Sequence, residues 1–179
     1  MSKLGKKTIS LPKDSKVAVQ GNSVTVSGPK GSEKILFNEK LFSSKVNEKN
    51  EFLISPLKKD KSISMMWGTY RSLINNAILG VTKGHEKNLE LNGVGFKVAQ
   101  QGDQLKLKLG FSHEAIYKVP KGINIKIEKQ TKINISGTDK ALVSKVASEI
   151  KSLKPVEPYK GKGIKEKNQY VIRKEGKKK

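Results

Sequence analysis

Apolar and polar residues alternate with a period of two along several stretches of this chain. Such alternation predicts half-buried antiparallel strands, because successive side chains of a strand point to opposite faces of a sheet. Gln20-Gly21-Asn22 and Gln101-Gly102-Asp103 interrupt the alternation in the manner of hairpin turns. The alternating segments are residues 17–19, 24–26, 105–109, 123–127 and 133–135.

Two other segments have the apolar spacing of amphipathic helices. The first is predicted to end at Gly80, which occupies the position of a C-terminal cap. The second is predicted to begin at Thr138 or Asp139 and to end at Pro155. The predicted apolar stripe of the first helix is Met66, Tyr70, Leu73, Ile74, Ala77 and Ile78, and that of the second is Leu142, Val146, Ala147, Ile150 and Leu153.

The apolar pattern of residues 17–55 repeats at a shift of 81 residues without a gap, so that Val17 aligns with Val98 and Ile54 with Ile135. Each copy is followed by one helical segment, and a helix laid across a small antiparallel sheet buries one face of each element. The predicted fold class is therefore α+β, with two tandem copies of a small antiparallel sheet and one packed helix. The predicted parts are a first repeat at 8–82, a linker at 83–87, a second repeat at 88–154 and a basic tail at 155–179.

The chain is strongly basic, with 37 Lys and Arg against 16 Asp and Glu, and a formal net charge of +21. A field of this strength attracts polyanions, nucleic acid first and anionic membranes second. Arg71 and Arg173 are the only arginines, so contacts with phosphates are expected to outnumber contacts with base edges. An AT-rich genome, which favours lysine codons, explains the lysine bias equally well.

Other features of the composition restrict the compartment. The absence of cysteine excludes disulfides and Cys-based zinc sites, and it fits a reducing environment. Residues 1–12 are basic and lack the apolar core of a signal peptide, and no apolar run in the sequence is long enough to span a bilayer. The expected location is the cytoplasm, or the interior of an organelle that makes its own proteins.

The segment Glu157-Pro158-Tyr159-Lys160-Gly161-Lys162-Gly163-Ile164 alternates lysine with glycine. Lysine supplies a mobile charge suited to phosphate, and glycine allows positive φ and close approach of the backbone to a ligand. Residues 155–179 contain nine Lys or Arg and three Glu, and no apolar periodicity follows that could bury them. We interpret this tail as a polyanion-binding segment.

No set of residues typical of an enzyme stands out. His85 and His113 are the only histidines, and neither has a second His at the spacing of a zinc motif. Trp67 and Tyr70, with two methionines beside them, are interpreted as core residues rather than as a platform for base stacking. Lys106 and Lys108 make one strand face cationic, which fits either ligand binding or a solvated surface. We expect no catalytic residue, no metal site and no cofactor.

Several motifs resemble the large-subunit ribosomal protein L-six family of the bacterial type, and together they cover nearly the whole chain. The segment from Glu157 to Ile164 resembles the C-terminal signature of that family. The chain departs from the family pattern at Thr8, at Pro155-Val156 and at Glu166, where proline, Arg-Pro and an aromatic residue are usual. The other motifs are residues 171–177, residues 2–7 with Ile9 and Pro12, Gly68-Thr69 with Arg71, and residues 73–76, 80–82, 93–96 and 109–113.

The resemblance implies a structural constituent of the large ribosomal subunit that binds and stabilises large-subunit (23S-type) rRNA. It also implies a position near the base of the stalk that recruits translation factors, beside neighbouring ribosomal proteins, with no membrane partner and no homo-oligomer. RNA recognition is expected to use shape and backbone contacts. The expected RNA-binding residues are Tyr159, Lys160, Gly161, Lys162, Gly163, Lys165, Arg173, Lys174, Ser112 and His113.

Two other functions are compatible with the sequence. A general nucleic-acid-binding module would hold duplex DNA at least as well as structured RNA. A small basic ribonuclease would use His85 and His113 as acid and base, although no paired carboxylate is apparent to orient either of them.

Overall fold

The computed structural model describes residues 4–12, 14–47, 50–58 and 60–176. Ser2 and Lys3, which belong to the quoted start of the family pattern, and Lys177 at the end of the quoted C-terminal pattern lie outside the described residues. The chain forms two compact units. The first contains residues up to Gly84 together with Thr138–Lys140, and the second contains His85–Gly137 and the residues from Ala141 onward.

The first unit consists of two three-stranded antiparallel sheets and one helix. One sheet has the order β1-β6-β5 and the other the order β2-β3-β4. Trp67 is buried in its core, and its Nε1 donates a hydrogen bond of 2.8 Å to the carbonyl oxygen of Ile54. The elements are β1 (Ile9–Ser10), β2 (Lys16–Gln20), β3 (Ser23–Gly28), β4 (Gly31–Leu36), β5 (Phe42–Asn47), β6 (Glu51–Pro56) and α1 (Lys61–Thr82).

Helix α1 ends later than predicted. The carboxylate of Asp60 caps its first turn by accepting a hydrogen bond of 2.6 Å from the backbone N–H of Lys61. Gly80 is a buried residue within the helix, so its predicted role as a cap is wrong. The next glycine, Gly84, has the positive φ of +83° that follows a helix end. Met66 and Leu73 are exposed on the solvent side of the predicted stripe.

The second unit repeats this arrangement with one additional strand. One sheet has the order β10-β9-β8, and the other has four strands in the order β11-β12-β7-β13. Helix α2 buries Val143, Val146, Ala147 and Ile150 against them. The elements are β7 (His85–Asn92), β8 (Lys97–Gln101), β9 (Gln104–Lys108), β10 (Ala115–Lys118), β11 (Ile123–Glu128), β12 (Lys132–Gly137), α2 (Lys140–Leu153) and β13 (Gly163–Glu166).

The predicted repeat and the α+β fold class are confirmed. Strands β2, β5 and β6 recur as β8, β11 and β12 at a shift of 81 residues, with the same first and last positions. Gly21 and Gly102, with φ of +53° and +58°, occupy the predicted hairpin turns. No helix in the described part of the chain is long and apolar enough to cross a membrane.

Two predictions about the connections are wrong. The predicted linker at 83–87 overlaps strand β7, which begins at His85 and pairs with β12. The tail is predicted to lack the apolar periodicity that could bury it, yet Ile164 is fully buried and lies opposite Leu91 of β7. Strand β13 therefore closes the edge of the second unit's larger sheet. The boundaries at 8–82, 88–154 and 155–179 otherwise stay predictions.

Candidate nucleic-acid interface

Residues 157–162 form a closed loop between helix α2 and strand β13. The backbone N–H of Glu157 donates to the carbonyl oxygen of Lys162 at 2.8 Å, and the N–H of Gly161 donates to the carbonyl oxygen of Glu157 at 3.0 Å. Tyr159 and Lys160 lie at its tip, where both are exposed. The loop is therefore held in one conformation by its own backbone, with a lysine on each side of Gly161.

The two glycines of this segment serve the fold. At Gly163, where φ is +141°, an added Cβ would lie 2.6 Å from the carbonyl oxygen of Pro155, so no larger residue fits. At Gly161, where φ is +69°, an added Cβ would lie 3.1 Å from a guanidinium nitrogen of Arg173. Both glycines are buried, and the Gly161 N–H is already bonded within the loop. This N–H is therefore satisfied within the protein, and the role of the two glycines in RNA binding stays a prediction.

Arg173 and Lys174 return to the same loop from farther along the chain. The backbone N–H of Lys174 donates to the carbonyl oxygen of Pro158 at 2.9 Å. Because this bond anchors the segment, the guanidinium of Arg173 lies next to Gly161. Four of the predicted cationic residues, Lys160, Lys162, Arg173 and Lys174, are thus brought together at one exposed end of the second unit.

Lys165 is placed differently from those four residues. It lies on β13, opposite Glu90 of β7, and its Nζ is 3.8 Å from Oε2 of that carboxylate. Its side chain is 28% exposed. The lysine therefore has an intramolecular partner on the sheet and stands apart from the loop cluster.

Ser112 and His113 lie in the exposed loop between β9 and β10. The ring of His113 stacks near that of Phe111, with centroids 6.2 Å apart and planes 16° from parallel. The Nζ of Lys154, just after helix α2, lies 4.4 Å from the centroid of the Phe111 ring, which is a cation–π distance. These contacts hold the loop beside the end of the helix.

An open groove lies between the β9–β10 loop and the 157–162 loop, and of the predicted site residues it is lined by Lys162. It has a volume of about 630 Å³, and its lining includes Phe111 from the β9–β10 loop and Glu157 and Lys162 from the 157–162 loop. Val94 and Lys154 complete the rim. The sequence reasoning missed both of these residues. An available signal was the position of Val94 between Gly93 and Gly95, which leaves an apolar side chain 95% exposed on a short turn.

Glu166 anchors strand β13 to the rest of the second unit. Its carboxylate accepts hydrogen bonds from Lys87 of β7 at 2.8 Å and from Lys151 of α2 at 3.1 Å. These two bonds hold the pKa of Glu166 below its ordinary value, and the bond from Lys87 has the larger effect. Glu166, one of the residues at which the chain departs from the family pattern, therefore has an intramolecular role.

Neither histidine lies in a metal site in the described part of the chain, where no group of three or more His, Cys, Asp or Glu could hold a metal ion. His85 begins strand β7, and His113 lies in the β9–β10 loop. The two histidines that a ribonuclease mechanism would use thus belong to different elements of the second unit.

Comparison with known proteins identifies the family. The family model of ribosomal protein L6 matches residues 11–84 and 92–167. The large ribosomal subunit protein uL6 of Bartonella henselae is 46% identical over 180 residues, which cover 100% of both chains. That of Nitratiruptor is 46% identical over 99% of this chain and 98% of its own, and that of Beijerinckia indica is 42% identical over 100% of both. This chain belongs to the ribosomal protein L6 family of the large ribosomal subunit.

Proposed function

We propose that this protein binds and stabilises large-subunit (23S-type) rRNA through the groove of its second unit, without catalysing a reaction. One observation carries the proposal: the 157–162 loop, Arg173 with Lys174, and the β9–β10 loop all converge on one exposed end of that unit. As a ribosomal protein, the chain is located in the ribosome, in the cytoplasm.

The arrangement suits recognition of RNA by its backbone and shape. Lys162 lines the groove, and Lys160, Arg173 and Lys174 add positive charge at the loop that borders it. Neutralising phosphates releases counterions from the RNA. The loop bonds of Glu157 and Gly161 fix the backbone that carries Lys160 and Lys162 before binding, which lowers the entropy lost on association. The exposed apolar surface of Val94 and Phe111 at the rim can be covered by a sugar or by the face of an unpaired base.

The proposal is tested by measuring the affinity of purified protein for large-subunit rRNA across a salt series. In the double variant Lys160→Gln/Lys162→Gln, the slope of log affinity against log salt should flatten by roughly 1.5–2 units. The matched control is Lys34→Gln/Lys45→Gln, which removes the same charge from two exposed lysines of the first unit. A slope that flattens equally in both double variants would mean that net charge alone, and not this site, sets the affinity.

Two further measurements separate this proposal from its alternatives. A general nucleic-acid-binding module would bind duplex DNA as tightly as rRNA at equal salt, whereas we expect the DNA to compete poorly. A ribonuclease would cleave RNA in a His113-dependent manner, and we expect intact RNA with both the wild type and His113→Ala. The family is one of structural ribosomal proteins and not a class of enzymes.

The position near the base of the factor-recruiting stalk is also part of the proposal, and it rests on the family. Neighbouring large-subunit proteins, and translation factors nearby, are the expected partners. Cross-linking within assembled large subunits should join this protein to components of the stalk base. Cross-links confined to proteins at the far side of the subunit would contradict this placement.

A further inference from the structure

The outer face of the β8-β9-β10 sheet carries four lysines and no acidic residue. Lys97, Lys106, Lys108 and Lys118 all project from this face, since β9 and its partners alternate them with the buried Val98, Leu105 and Leu107. The three strands contain no Asp or Glu. Lys97 lies directly opposite Lys108 across the β8–β9 pair.

This face is unfavourable for the free protein. Like charges directly opposite each other on neighbouring strands destabilise a sheet. Among the residues that the structure describes, none of the four lysines forms an ion pair with a carboxylate. The unit's other sheet behaves differently, because Glu90 lies within 4 Å of the Nζ atoms of both Lys132 and Lys165. Acidic and basic residues therefore neutralise each other on the outer face of the β11-β12-β7-β13 sheet. The positive charges on the outer face of the β8-β9-β10 sheet have no such compensation.

The internal repeat shows that the fold does not need these charges. At the shift of 81 residues, Thr25 and Ser27 of β3 occupy the positions of Lys106 and Lys108 of β9. The first unit builds the same three-stranded sheet with those two neutral residues. The lysines of the second unit thus add repulsion without adding to the architecture, and residues that cost stability in this way are typical of binding surfaces.

We propose that the outer face of the β8-β9-β10 sheet is a second RNA-binding surface, which contacts the phosphate backbone of an RNA segment other than the one at the groove. The inference rests on the proposed binding of rRNA. The sheet itself separates the two surfaces, because the buried Leu109 lines the groove while Lys106 and Lys108 project from the opposite face. One unit would therefore be clamped between two RNA segments.

The chemistry of the face favours phosphates over base edges. Lysine is a compact point charge that contacts phosphates without reading the planar edge of a base. Alternate residues of one strand are about 7 Å apart, and opposite residues of neighbouring strands are about 5 Å apart. Several phosphates can therefore be neutralised at once on a flat, regular surface. Ile116, 60% exposed and opposite Lys106, adds apolar area that a ribose face can cover.

The test exchanges two lysines for the residues of the first repeat, Lys106→Thr/Lys108→Ser, in the full chain. With large-subunit rRNA as the probe, the slope of log affinity against log salt should flatten by roughly 1.5–2 units. The thermal midpoint of the free protein should not fall, because cross-strand repulsion is relieved. The matched control is Lys121→Ser/Lys126→Thr, which removes two exposed lysines from the same unit outside this face and should flatten the slope by less than about 1 unit.

Combining the variants separates this inference from the proposed function. If the two surfaces bind different RNA segments, the effects of Lys106→Thr/Lys108→Ser and Lys160→Gln/Lys162→Gln on the slope should add. An unchanged slope in Lys106→Thr/Lys108→Ser, while Lys160→Gln/Lys162→Gln still flattens it, would overturn the second surface alone. If Lys106→Thr/Lys108→Ser loses binding to an acidic protein without any change in rRNA binding, the second RNA-binding surface is overturned as well. No measurable rRNA binding by the wild type would overturn the proposed function.

Discussion

At the scale of single residues, the glycines near the C-terminal signature show what their spacing alone does not specify. The sequence predicts that Gly161 and Gly163 bring the backbone close to a ligand. In the structure each has a positive φ, and each is packed against the protein, Gly163 against backbone atoms of Pro155 and Gly161 against the Arg173 guanidinium. A repeated Lys-Gly pattern does not reveal whether ligand or protein fills the missing Cβ position, because the neighbours come from other elements.

The two glycines should therefore respond differently to alanine. Gly163→Ala should destabilise the protein by more than about 2 kcal/mol, since a methyl group meets backbone at 2.6 Å and φ is +141°. Gly161→Ala should cost about 1 kcal/mol, because its close neighbour is the movable end of Arg173. Urea unfolding of both variants measures the difference. Equal stability of the two variants would show that the backbone near Pro155 yields easily.

Glu166 provides a prediction that depends on pH. Its pKa is lowered in the folded state by Lys87 first and Lys151 second, so its contribution to stability is present above the ordinary carboxyl pKa and is lost as pH falls through the lowered value. Glu166→Gln should cost about 0.5–1 kcal/mol at pH 7, since the side chain is 34% exposed. Unfolding at pH 7 and near pH 3 tests this. A difference from wild type that is the same at both pH values would contradict it.

At the scale of elements, regular periodicity was informative and short segments were not. Strands β3, β9, β11 and β12 have alternating apolar residues and were predicted. Strand β13 has one buried apolar side chain, Ile164, between glycine and lysine, and one residue cannot define a period. Its partner Leu91 is far away in sequence. The start of β7 could not be predicted for the same reason, because its first residues are polar and define no apolar period.

Deleting residues 155–179 should unfold or strongly destabilise the second unit, because it removes β13 and the fully buried Ile164. Ile164→Ala alone should cost about 2–4 kcal/mol. Deleting only residues 170–179 should leave the thermal midpoint nearly unchanged, since Tyr170 and Ile172 are 87% and 73% exposed. Thermal melts of the two truncations make the comparison. Equal thermal midpoints of the two truncated proteins would mean that β13 contributes little to the stability of the sheet.

At the scale of the whole molecule, net charge does not distinguish the unit that we propose to bind RNA from the other one. Residues 1–84 carry a net charge of +9, and residues 85–179 carry +12, a small difference between the two. The second unit differs from the first by having the closed 157–162 loop, the groove and the cationic outer face of the β8-β9-β10 sheet. The sequence predicted most candidate residues through the lysine-glycine segment, but the convergence of distant loops on one groove depends on tertiary packing.

The fragment 85–179, which contains the second unit together with Thr138–Lys140, should therefore bind large-subunit rRNA at least about tenfold more tightly than the fragment 1–84 at equal salt. This difference exceeds what the difference in net charge provides. Circular dichroism of both fragments should first show mixed helix and strand. Filter binding across a salt series measures the affinities. Equal affinity of two folded fragments would contradict the assignment of RNA binding to the second unit.

The closing strand β13 also sets an order in time. The chain emerges from its N-terminal end during synthesis, so the elements of the first unit up to Gly84 are available before β7 has a complete sheet to join. Strand β7 then lacks its neighbour β13 until residues 163–166 are made, which happens only after β8 to β12 and helix α2. Because the 157–162 loop leads directly into β13, the groove that it borders is completed last. A nascent chain thus has the strands and helix of its first unit early, and it completes the proposed RNA-binding groove late.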